Sequence, residues 1–244
     1  MSGSIRFDRA AGFYDTSRAI PPEAMERTIA QLEGELAGRG RVLEIGVGTG
    51  LLALPLHERG LALAGLDISG PMMAKLVDKA GGSPPFPLVL GDATAMPFGD
   101  GAFGAAYLRW VLHLIPEWRA LVAEGIRVVR PGGVLVANLG AYGGAHREIQ
   151  DRFAELTGIS TRPVGLDWAA YDELDGELAS RGASARVLPA PNETFEERLD
   201  EFIRGIEENR YSWTWTVPGD VRLRAAAEIR AWAQARFGSL DAPR

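Results

Sequence analysis

From Arg41 onward, short continuous apolar runs alternate with segments whose apolar positions recur every three or four residues. RVLEIG, LALAGLD, FPLVLGD, FGAAYLRW and PGGVLVANL are runs of the first kind. Unbroken apolar strands are buried on both faces, as in a parallel sheet. LLALPLHERG, SGPMMAKLVDKAGG and PEWRALVAEGIRVVR have the helical period. Each ends at a glycine or just before a proline, and Ser69 and Pro71 mark a helix start. Five strands alternating with helices predict an α/β fold: a Rossmann-like, doubly wound, mostly parallel sheet with helices on both faces.

The flanks are less regular. Upstream, PPEAMERTIAQLEGELAG predicts a helix that opens at Pro21 and Pro22 and stops at Gly38 and Gly40. Before it lies FDRAAGFYDTSR, short, polar and aromatic. Beyond Gly140, REIQDRFAELTG and DWAAYDELDGELASRG predict helices and SARVLPA a further strand. Thr194 and Glu197 have capping-box spacing for a helix through ETFEERLDEFIRGIEENR, and GDVRLRAAAEIRAWAQARFG predicts the last helix. Between those two, YSWTWTV alternates aromatic with hydroxyl residues, which predicts a strand; a helix end running into a turn is the competing reading. The expected organisation is an N-terminal lid and helix over 1–40, a cofactor-binding Rossmann-like domain over 41–190, and a helical cap and substrate region over 191–244 packed on that domain.

Composition narrows the chemistry. The chain has 244 residues, 46% of them hydrophobic, enough for one full-sized core. A net charge of −6 argues against a broad basic face and hence against a nucleic-acid partner. The absence of cysteine excludes disulfides, thiolate catalysis and cysteine-ligated metal. His57, His113 and His146 lie far apart, so no metal site is expected. No apolar run approaches the roughly 18 residues that span a bilayer, and MSGSIRFDRA has no apolar signal core. A soluble, cytoplasmic protein without a membrane partner is expected, as monomer or homodimer.

The informative unit is VLEIGVGTG, residues 42–50. A strand runs into Gly46, Gly48 and Gly50 and then into a helix. Gly46 permits the tight turn, while Gly48 and Gly50 let a ligand approach bare backbone beside the free N–H groups of a helix start. Asp67 ends the second strand about twenty residues later, where an acid accepts both ribose hydroxyls of a nucleotide. In LGDATAMPF, Asp92 can accept an adenine amine and the Ala93 N–H can donate to a ring nitrogen, with Met96, Pro97 and Phe98 as apolar walls. Capping by Asp67 and a plain turn at Asp92 are the competing readings.

In this order the three blocks resemble the class I S-adenosylmethionine-dependent methyltransferases, in particular the small-molecule enzymes of ubiquinone and menaquinone biosynthesis. FGAAYLRWVLHLIPEW and RVVRPGGVLVANL are similar to two further family blocks, and Tyr14, Asp15 and Arg18 look like its YDxxR segment. The resemblance implies S-adenosylmethionine as cofactor, S-adenosylhomocysteine as product and a small-molecule methyl acceptor. It implies that Glu44 and the glycines flank the methionine part and Asp67 holds the ribose. Ile68 and Met72 would pack on the adenine, whose edge Asp92 and Ala93 would read. Arg109 would lie near the methionine, with Tyr14 and Arg18 closing over the cofactor.

The implied reaction is in-line displacement of the methyl group by an O, N or C nucleophile. His113, His146 and Tyr14 are the candidate bases, against packed or surface roles for the histidines. Tyr211, Trp213 and Trp215 are candidates for an acceptor pocket, against plain core packing. A cofactor-binding protein without turnover and an NAD-dependent oxidoreductase are the alternatives; GxGxG spacing and the lack of a Tyr-x-x-x-Lys pair weigh against the second.

Overall fold

The computed structural model describes residues 3–18, 20–138, 143–167, 170–189 and 198–242. The chain forms two compact units. Met1–Gly140 with Val164–Glu193 make the first, and Ala141–Pro163 with Thr194–Arg244 the second. Residues 141–163, which the sequence grouped with 41–190, thus belong with the C-terminal segment.

In the first unit, a helical turn α1 (Tyr14–Ser17) and helix α2 (Pro22–Leu36) lead into the sheet. Then come β1 (Val42–Ile45), α3 (Ala53–Glu58), β2 (Leu63–Asp67), α4 (Gly70–Lys79), β3 (Leu88–Leu90), β4 (Phe103–Arg109), α5 (Trp118–Val128) and β5 (Val129–Asn138). All pairings are parallel, in the order β3-β2-β1-β4-β5.

Strand periodicity divides the core into two layers. Leu43, Ile45, Leu66, Ala106 and Leu108 pack with Trp118, Leu121 and Val122 of α5 on one face. Val42, Leu63, Ala105 and Tyr107 pack with Ile29, Leu32 and Leu36 of α2 and with Leu56 and Leu76 on the other. Covering both faces is why these strands read as continuous apolar runs. After β1 the chain crosses to β2 on one side, whereas β4 lies on its other side. That reversal opens a crevice at the carboxyl ends of β1 and β4, the place where open α/β sheets bind ligands.

SARVLPA corrects an expectation. Residues 184–189 form no strand, and Val187 is 94% exposed. An apolar run makes a strand only where a sheet edge receives its hydrogen bonds. YSWTWTV resolves to the turn reading, with a 3-10 turn at Ser212–Thr214. Asn209 has φ 58° after helix α8 (Leu199–Glu207), Thr214 Oγ1 donates to Asn209 Oδ1 at 2.7 Å, and Trp215 Nε1 donates to the Asn209 carbonyl at 3.0 Å. These local bonds replace a strand ladder. Thr194 and Glu197 lie outside the described residues.

The second unit joins α6 (Gly144–Thr157), α8 and α9 (Gly219–Phe237) around Ile149, Phe153, Phe202, Ile206 and Ile229. α7 (Tyr171–Ser180) belongs to the first unit, where Leu174 joins the α5 layer. Among the described residues no helix is long and apolar enough to cross a membrane.

Candidate functional site

A cleft enclosing about 680 Å³ of empty space, mouth included, opens at the reversal point of the first unit. Its floor is built by the three turns that follow β1, β2 and β3. After β1, Gly46 and Gly48 have φ of 79° and 50°. A β-carbon at Gly46 would stand 2.6 Å from Val111 Cγ2; one at Gly48 would stand 3.4 Å from Met72 Cε and 4.0 Å from Asp67 Oδ2. Both positions therefore need glycine for backbone conformation, and Gly46 needs it for space as well. Gly50 serves differently: its β-carbon would meet Leu76 Cγ at 2.7 Å, so it permits close packing on α4 and does not line the cleft.

After β2 stands Asp67. Its Oδ2 accepts the Gly48 N–H at 2.8 Å and its Oδ1 accepts the Ser69 N–H at 2.7 Å. Ser69 Oγ accepts the Met72 N–H at 3.3 Å, so Ser69 is the helix cap and Asp67 is turned to the cleft. Burial raises the Asp67 pKa, opposed by the N–H groups of Ser69, Gly48 and Ile68. Ile68 and Met72 line the adjoining wall.

After β3 come Asp92 and Ala93, both lining the cleft. Asp92 Oδ1 accepts the Thr94 N–H at 2.9 Å and its hydroxyl at 2.7 Å, so one oxygen shapes the turn. This loop is pinned from below by a pair that sequence reasoning missed. Arg127 donates from Nε to Glu124 at 2.7 Å and from NH1 and NH2 to the carbonyls of Phe98 and Met96 at 2.7 and 3.1 Å. Glu124 also accepts the Met96 N–H at 2.6 Å. The fork of Arg127 holds the Glu124 carboxyl below its usual range. Arg127 opens the RVVRPGG block, but the basic residue that the block signals is Arg130, and the contacts of Arg127 span about thirty residues of sequence.

β4 ends in Arg109, followed by Trp110, and both line the cleft. Trp110 was also missed. It has φ 58°, an uncommon conformation for a bulky residue. The Arg109 guanidinium lies 4.2 Å from its ring centroid and the Arg18 guanidinium 5.7 Å from it. Across the cleft the N-terminal segment contributes Ile5, Phe7 and Tyr14, the last two in edge contact at 5.7 Å. Burial raises the Tyr14 pKa, opposed by Arg18.

The structure thus gathers Tyr14, Gly46, Gly48, Asp67, Ile68, Met72, Asp92, Ala93 and Arg109 in one cleft. Arg18 is absent from the lining and rests between Tyr14 and Trp110. Glu44 lies beneath the glycine turn, buried in β1, where Tyr107 Oη donates to its Oε2 at 2.7 Å. Burial pushes its pKa to about 8, against the Tyr107 bond. His113 is on a 3-10 turn beyond Val111, outside the lining; burial and the Arg18 charge push its pKa down to about 4. His146 belongs to the second unit, edge-on to Phe202 at 4.8 Å. Tyr211 and Trp213 stack at 5.3 Å in the core of that unit. Neither they nor Trp215 lines the cleft.

Residues 43–137 match the family described as "Methyltransferase domain". The demethylmenaquinone methyltransferase of Mycolicibacterium vanbaalenii is 32% identical over 237 residues, covering 96% of this chain and 87% of that one. The enzyme of the same description from Renibacterium salmoninarum is 33% identical over 136 residues. That match covers 53% of this chain and 55% of the relative, little more than half its length. An S-adenosylmethionine-dependent methyltransferase of Thermotoga maritima shares the fold, with TM-score 0.54, 22% identity and coverage of 72% and 79% of the two chains.

Proposed function

The chain belongs to the class I S-adenosylmethionine-dependent methyltransferases, and from that premise we propose that it transfers a methyl group from S-adenosylmethionine to a small-molecule acceptor. One observation carries the reading: the Asp67 carboxylate at the end of β2, held by two backbone N–H groups, shares a cleft with the Gly46–Gly48 turn and with Asp92 and Ala93. The cradle fits the cofactor. A β-carbon on Gly48 would project toward Met72 and Asp67, into the space a nucleoside would fill. Asp67 then holds the ribose hydroxyls and Ile68 and Met72 pack on the adenine, whose edge Asp92 and Ala93 read. Arg109 and the glycine turn flank the methionine end, with Glu44 beneath. Tyr14 and Arg18 cover it from the N-terminal side.

When bound, S-adenosylmethionine supplies a methyl group already activated on a sulfonium. The chain's work is then orientation, which contributes roughly 7–11 kcal/mol in well-aligned systems. Ile5, Phe7, Leu114 and Ile115 give the cleft an apolar wall that excludes water and suits an aromatic or aliphatic acceptor. Of the three candidate bases, only Tyr14 lines the cleft, and its raised pKa keeps its proton in place at neutral pH. The reading therefore favours an acceptor that can attack before any base of the chain removes a proton, such as a neutral amine or an ionised phenol or quinol, whose nitrogen or ring-carbon proton leaves to water after the methyl group has been transferred. Quinols of the demethylmenaquinone type are the first acceptors to test, on the strength of the relatives' names. Transfer of label from methyl-labelled S-adenosylmethionine to a panel of quinols, phenols and amines tests the proposal; label bound but never transferred to any class would favour a cofactor-binding role without turnover.

A further inference from the structure

We propose that Asp15 is a positioning residue for the cofactor cleft, latching the N-terminal segment onto the glycine turn so that ligand leaves only when this latch opens. The inference rests on the reading of the cleft as a cofactor site. Segment 3–18 supplies one wall of the cleft through Ile5, Phe7 and Tyr14. Yet its only α-helical turn, α1, has four residues and no side-chain cap. A helix that short does not hold itself together in water. The wall is in place because tethers hold it. At one end the Ile5 N–H donates to the Leu114 carbonyl at 3.0 Å, and at the other Arg18 lies against Trp110.

Asp15 makes the tether that reaches the glycine turn. The hydroxyl of Thr49, which stands between Gly48 and Gly50 and is 2% exposed, donates to Asp15 Oδ1 at 2.5 Å. Lys79, at the end of α4, donates to Asp15 Oδ2 at 2.8 Å. One carboxylate therefore ties the segment to the turn after β1, which carries Gly48, and to α4, the helix that follows the Asp67 turn. Its sequence neighbour Tyr14 faces the cleft, so fixing Asp15 fixes that wall. The two arms are unequal. The lysine pair is about one-third exposed on both sides and is screened by water and salt. The bond from the buried hydroxyl to a carboxylate is charge-assisted and shielded, and it is the arm that holds.

The test is the dissociation rate of S-adenosylhomocysteine, followed by tryptophan fluorescence in stopped flow. Asp15→Ala and Thr49→Val should each speed release about tenfold. The double variant should release no faster than either single one, because both remove the same bond. Thr49→Ser, which keeps the hydroxyl, should behave as wild type, and Lys79→Met should stay within about twofold. Wild-type rates in Asp15→Ala, or single effects that multiply in the double variant, would overturn the latch. Hydrogen exchange of the wild-type protein gives a second check that needs no variant to fold. Ligand should slow exchange of the amides of residues 13–17, and release should never outrun their opening. Exchange unchanged by ligand, or release faster than opening, would also overturn it. A wild-type protein that binds no S-adenosylhomocysteine would defeat the cofactor reading itself, whereas binding with an unaltered rate in Asp15→Ala defeats only the latch.

Discussion

Asp67 and Gly48 are joined at the carboxyl edge of the sheet, the Gly48 N–H donating to Asp67 Oδ2 at 2.8 Å. The bond locks the acid of one turn to the glycine turn of the next. It aims the carboxylate into the cleft before any ligand arrives, so little ordering remains for binding to accomplish.

Removing that carboxylate should weaken S-adenosylmethionine binding at least tenfold, about 1.4 kcal/mol. Asp67→Ala, checked by circular dichroism for an intact fold and titrated by calorimetry, measures it. Unchanged affinity in the folded variant would move the ribose elsewhere.

The fork of Arg127 should matter more than its charge. Arg127→Lys retains a cation but cannot reach Glu124 and the carbonyls of Phe98 and Met96 together. Both Arg127→Lys and Arg127→Ala should lower the melting temperature and raise the KM for S-adenosylmethionine, with less effect on kcat. A lysine variant identical to wild type in both would reduce Arg127 to a surface charge.

His113 gives a pH signature. Its pKa of about 4 lies below the ordinary imidazole value of 6.5, so below pH 6.5 the unfolded chain takes up a proton that the folded chain refuses. Stability contributed by this residue is therefore complete above pH 6.5 and is lost as pH falls toward 4. His113→Gln should flatten thermal stability over that window. A kcat/KM profile with an acid limb near 6.5, abolished in the same variant, would instead make His113 a titrating base.

Glu44 works in the opposite direction. Its pKa rises from 4.5 to about 8, so the folded state holds a proton that the unfolded state has released. Stability should fall as pH rises from about 4.5 to 8 and level off above. Glu44→Gln retains an acceptor for Tyr107 and removes the titration. The melting temperature of the variant, relative to wild type, should therefore rise more at pH 8 than at pH 5. An equal difference at both would show the carboxyl ionised in the fold.

How much was legible in the sequence follows from the range of each interaction. The strand, glycine turn and helix over 42–58, the cap at Ser69, Asp67 at the end of β2 and Asp92 just after β3 are local, and periodicity with turn chemistry locates them. Trp110 was hidden because nothing in LRWVLH announces a positive φ. The contacts of Arg127 and Asp15 were hidden because their partners lie far along the chain, Phe98 29 residues from one and Thr49 34 from the other. SARVLPA misled because β pattern without a partner strand leaves Val187 in solvent. Tyr211 and Trp213 drew notice as aromatic residues, and the structure uses them to fill the core of the second unit.

The cleft at the ends of β1 and β4 is proposed as the S-adenosylmethionine site. Parallel calorimetric titrations of the purified chain with S-adenosylmethionine, S-adenosylhomocysteine and NAD test it most directly. The expected result is binding of the two sulfur nucleosides, weakened for both by Asp67→Ala, and no heat from NAD. Binding of NAD alone, or of none of the three, would contradict it.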